Sequence, residues 1–63
     1  MWEIVFKVRH GEPGWAETDE VVYKSSCEPT AQQIEEFEED ICRKKEYVRS
    51  ITIYRITEIT RLL

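Results

Sequence analysis

The chain is poor in the residues that staple or punctuate a fold: two cysteines, two glycines, two prolines and one histidine among 63 residues. Each scarcity removes a class of protein. A domain of this length buries only about 60% of the surface its unfolded form exposes, so it needs a disulfide, a metal or a second subunit for stability. Cys27 and Cys42 do not supply the disulfide. With Thr30 capping a helix, Cys42 stands about 18 Å along its axis, whereas bridged Cα atoms lie within about 7 Å. Two reduced thiols fit a cytoplasmic protein. His10, Cys27 and Cys42 lack the close spacing of metal ligands, so no metal is expected. A second subunit remains as the stabiliser.

Other absences bear on chemistry and membranes. There is no glycine-rich phosphate loop and no nucleophile paired with a base in the order of a known triad, so neither an enzyme nor a cofactor is expected. His10 has no evident orienting carboxylate and reads as a turn or surface histidine. Cys27, with no basic residue beside it, reads as a packed thiol. Glu3 and Lys7 interrupt the first apolar run, which is too short for a secretory signal, and no stretch is long enough to span a bilayer.

Charge is plentiful but unevenly placed. Residues 1–42 hold 11 acidic and 3 basic side chains, residues 43–63 hold 2 and 6, and the net charge is −4. Duplex nucleic acid is bound largely by neutralising phosphates, so an acidic chain is better matched to a basic protein.

Trp2 to Arg9 alternates with period two, placing Trp2, Ile4, Phe6 and Val8 on one face, and predicts a half-buried strand. Asp19 to Ser26 predicts a second, with Val21 and Tyr23 opposite Val22 and Lys24. The connection His10 to Thr18 carries both glycines and Pro13, and at its middle Trp15 either covers one end of the core or is displayed for a partner. Thr30 is a helix N-cap with Gln33 placed for a capping box, and Ala31, Ile34, Phe37 and Ile41 form one apolar stripe of a helix running to about Glu46. Its other side holds Glu35, Glu36, Glu38, Glu39 and Asp40, followed by Arg43, Lys44 and Lys45. That order suits the helix dipole, with Glu39 facing Arg43 and Asp40 facing Lys44. A dense carboxylate face also resembles a phosphate backbone offered to a basic groove.

Tyr47 to Leu63 is the longest extended stretch, rich in β-branched and aromatic residues. Its apolar pattern changes phase: Ile51 and Ile53 share a face, Ile56 and Leu62 fall on the other, and Ile59 and Leu63 return to the first. A bulge near Tyr54 to Ile56 would restore one face, a terminal helical turn through Ile56, Ile59 and Leu63 being the alternative. Fully extended, these residues would reach about 55 Å, beyond what the other strands can pair. Their apolar end predicts association with a second copy, through Tyr54, Ile56, Ile59, Leu62 and Leu63.

These elements predict an α+β fold: one ββαβ domain over residues 1–63, a three-stranded, mainly antiparallel sheet of order 2-1-3, and one amphipathic helix on one face. The long last strand extends into a dimer. The expected function is a small, non-enzymatic protein-binding module, a homodimer that occupies a partner's surface through Trp15, Glu35, Glu36, Glu39 and Asp40. A basic nucleic-acid-handling enzyme is the kind of partner this charge favours. In size and acidity the chain resembles small phage-encoded proteins that inhibit host defence machinery by binding it. The alternative is nucleic-acid binding by Arg49, Arg55 and Arg61, which share strand parity with Tyr47 in an uninterrupted run.

Overall fold

Alternation dominates the first half of the chain and a single helical stripe follows it, and the architecture reflects that change of period. The computed structural model describes residues 1–60, with β1 (Trp2–His10), β2 (Glu17–Ser25), α1 (Ala31–Lys44) and β3 (Val48–Glu58) in chain order. The sheet order is β2-β1-β3, and β1 is antiparallel to both neighbours. This is the expected ββαβ topology.

Residues paired across an antiparallel ladder project to the same face. On the helix side, Ile4, Phe6 and Val8 of β1 face Tyr23, Val21 and Asp19 of β2, and Ile56, Ile53 and Ile51 of β3. Ile4, Phe6 and Val8 are fully buried, and Ile41 reaches them from α1. Three aromatic rings complete the core: Tyr23 stacks on Phe37 at 4.4 Å between centroids, and Phe6 meets both edge-on. Ala31, assigned to the apolar stripe from its spacing, is instead exposed in the first turn.

The helix begins where its cap dictates. Thr30 Oγ1 accepts the Gln33 N–H at 3.2 Å, but the Gln33 side chain does not close a capping box; its Oε1 accepts from Ser25 Oγ at 3.4 Å. α1 stops at Lys44, two residues before the expected end, and Lys45 is already extended.

β3 has eleven residues against nine in β1, yet pairs with it from end to end. Two register shifts absorb the difference, leaving Arg49 and Tyr54 without partners in the ladder. The expectation that this stretch outruns its intramolecular partner therefore fails for its inner edge over Val48–Glu58. The shift at Tyr54 is the anticipated bulge: it returns Ile56 to the face of Ile51 and Ile53, and Ile56 lies in the strand rather than in a helical turn. The Ile59 N–H continues the pairing to the carbonyl of Met1 at 2.7 Å.

Among the described residues, no second layer covers the opposite face of the sheet. Val5 is buried there between Val22 and Arg55, while Arg55 reaches Glu3 at 3.4 Å and the Lys7 ammonium lies 4.1 Å from the centre of the Tyr54 ring. Among the described residues, no helix is long and apolar enough to cross a membrane.

Candidate interaction surface

The helix is tied to one side of the sheet. Tyr23 donates from its hydroxyl to Asp40 Oδ2 at 2.6 Å, and Ser25 holds Gln33 as described, so the flank bearing Gln33 and Asp40 faces β2. At 3.6 residues per turn, Glu38 and Cys42 lie across the Ile34–Ile41 stripe and face the β3 side. Along that flank runs a shallow, open cleft on the helix surface, lined by Glu35, Glu38, Glu39, Cys42 and Arg43.

The consequence is visible on β3. Ile53 and Ile56 lie on the helix side of the sheet, yet each remains 41% exposed, because α1 seats over β1 and β2. Pairing with β1 uses one edge of β3 and the sheet order leaves the other edge open. The outer edge of β2 is also unpaired among the described residues, but Glu17, Asp19, Glu20 and Lys24 place charge along that strand. Of the residues expected at a dimer interface, Tyr54, Ile56 and Ile59 fall on or beside β3; Leu62 and Leu63 lie outside the described residues.

The acidic helix divides into free and committed groups. Glu35 and Glu39 line the cleft and Glu36 is exposed. Asp40 is occupied by Tyr23, by Lys44 at 2.8 Å and by Arg43 at 3.5 Å; Arg43 thus turns to Asp40 rather than Glu39. The Lys44 hydrogen bond and then that of Tyr23 lower the Asp40 pKa to about 2. Burial and then the Asp40 bond push Tyr23 up to about 12.

A second cluster stands at the far end of the sheet, where pairing aligns His10 with Glu17 and puts Asp19 one side-chain repeat along. His10 Nε2 lies 2.7 Å from Asp19 Oδ2, and Lys45 Nζ donates to the same oxygen at 2.8 Å. Those bonds, Lys45 first, hold the Asp19 pKa below its usual value. His10 thus has the orienting carboxylate that its neighbours in sequence did not reveal, and its side chain is only 13% exposed. His10, Glu17 and Asp19 offer ligand atoms within 4.8 Å of one another, but Asp19 Oδ2 is already engaged by His10 and Lys45.

Trp15 is displayed, with 59% of its surface exposed, rather than folded over the core. Cys27, expected to pack, is exposed along with Cys42, because it falls in the link between β2 and α1. The proposed arginine stripe is broken by the two bulges: Arg55 pairs with Glu3, Arg49 Nε donates to the Gly11 carbonyl at 3.1 Å, and Arg61 lies outside the described residues. No family model matches the chain, and no curated protein or solved structure matches it either.

Proposed function

We propose that this chain is a non-enzymatic protein-binding module that acts by strand addition at β3, a second copy being its first partner. The observation that carries the reading is the exposure of Ile53 and Ile56 beside an open strand edge. A strand with unpaired backbone groups and a bare apolar stripe is a template for another strand, and antiparallel pairing of β3 with its own copy would extend the sheet to six strands. Helices on one common face of that sheet would shield the isoleucines from water. For a domain of this size, such burial supplies stability that one small core lacks.

Asp19 holds both His10 and Lys45, which ties these side chains into the end of the sheet and suits a structural role for them in such a module. The acidic flank of α1 and the displayed Trp15 leave surface for a basic partner beyond the dimer.

Light scattering across a dilution series tests the reading. The wild type is expected to carry the mass of two chains and Ile53→Glu the mass of one, while Val22→Glu, on the other face, stays dimeric. A folded Ile53→Glu protein that remains dimeric, or a wild type that is monomeric at every concentration, contradicts it.

A further inference from the structure

The end of the sheet at which β1 turns into β2 holds a smaller cleft, of about 290 Å³, formed where the 11–16 loop meets the link between α1 and β3. Its size is at the lower end of ligand sites and accommodates one long side chain. Trp15 and Tyr47 both line it, exposed by 59% and 61%.

Neither ring is there by default. Gly11, at φ +117°, lets the loop fold so tightly that a Cβ at this position would stand 3.1 Å from Ala16 Cα and 3.5 Å from the Trp15 ring. The Trp15 N–H closes a turn onto the Glu12 carbonyl at 3.1 Å. Tyr47 adopts φ 55°, a left-handed conformation that tyrosine rarely takes, and its carbonyl accepts the Gly11 N–H at 3.1 Å. The loop and the link thus fix each other while leaving both rings in water.

The charges of the cleft are unbalanced in one direction. Of its lysines, Lys44 is paired with Asp40 and Lys45 with Asp19. Glu12, Glu17 and Glu46 also line it and make no ion pair among the described residues. Two open aromatic faces with three uncommitted carboxylates favour a cation, and tryptophan is the ring best suited to cation–π attraction.

We propose that this cleft receives the cationic side chain of a basic peptide segment, arginine before lysine, because a guanidinium can lie flat on an aromatic ring while its N–H groups fork onto a carboxylate. This specifies the basic partner of the binding-module reading and rests on that reading, but it does not require the chain to dimerise.

The test is an NMR titration of the full chain with three short blocked peptides that differ only at the central residue: arginine, lysine or citrulline, the last being the neutral counterpart of arginine. Light scattering on the same samples reports the dimer separately, so loss of one property is not mistaken for loss of the other. The arginine peptide is expected to shift the Trp15 indole and the Gly11 and Tyr47 amides saturably. Lysine binds more weakly, and citrulline by a factor on the order of tenfold or more. Trp15→Ala and the pair Glu17→Gln with Glu46→Gln each weaken arginine binding by a similar order, with the β-sheet resonances away from the substituted residues and their strand partners unchanged. Equal binding of citrulline, shifts confined to Glu35, Glu36 and Glu39, or no saturable shift overturns the assignment.

Discussion

Single residues decide how this small domain responds to pH. Asp40, lowered to about 2 from 3.8 chiefly by Lys44 and then Tyr23, is favoured ionised in the fold. Its stabilising effect is complete above pH 3.8 and is lost as pH falls toward about 2. Tyr23 has the opposite sign: raised to about 12 from 10.0 by burial and by Asp40, it stabilises fully below pH 10.0 and ceases to do so as pH rises toward about 12. Urea denaturation of Tyr23→Phe should therefore show a loss of about 1 kcal/mol at neutral pH, where a hydrogen bond is removed and the ring retained. It should also lack the part of the alkaline decline that comes from this phenol. An unchanged alkaline limb would mean that Tyr23 does not titrate as the geometry requires. Gly11→Ala acts on the backbone instead. With φ at +117° and a Cβ forced to 3.1 Å from Ala16 Cα, it should destabilise by more than about 1 kcal/mol and move the Trp15 indole resonance. The Thr30 cap was legible because it is a local preference. The His10–Asp19–Lys45 group was not, since its members stand nine and 26 residues apart and meet only through strand register and the point where the helix ends.

At the scale of elements, β3 carries the most information. The phase change from Ile53 to Ile56 was readable as a bulge because side chains alternate with a fixed period, and one extra residue is the smallest correction. The second bulge, at Arg49, had no such mark: Val48 and Ile51 are three apart, and nothing in that short interval distinguishes a bulge from the end of a strand. Deleting Tyr54 tests this account. Removal of this unpaired residue leaves Ile53–Phe6 and Arg55–Val5 as neighbouring pairs of an unbroken ladder with Ile56 still on the helix side, so the deletion variant should keep cooperative unfolding by circular dichroism. Loss of cooperative unfolding would show that Tyr54 is not the extra residue of a bulge. The position of α1 over the sheet was hidden for a different reason. Its stripe says which side faces inward, but the choice of β2 over β3 is made by Tyr23–Asp40 and Ser25–Gln33, contacts between segments that sequence spacing does not connect.

For the molecule as a whole, a single helix of 14 residues is too narrow to cover three strands, which accounts for the bare stripe on the edge strand β3. Moored to β2, it buries Ile4, Phe6 and Val8 and leaves Ile53 and Ile56 at its margin. In the proposed dimer a second copy would pair with the edge of β3 and cover that stripe, the kind of stabiliser that the length of the chain and its shortage of staples lead one to expect. The remaining surface then has two acidic features, the outer flank of α1 and the cleft beside Trp15, at separate places for a basic partner.

The most direct test of strand addition is residue-resolved amide hydrogen exchange of the wild type at several protein concentrations. Pairing at the outer edge of β3 predicts that its outward-pointing amides between Val48 and Glu58 become protected as concentration rises, while the outward-pointing amides of β2, which stay unpaired in such a dimer, do not change. If every β3 amide exchanges at a rate independent of concentration, up to the range where the protein is fully soluble, the open edge is not where the molecule associates.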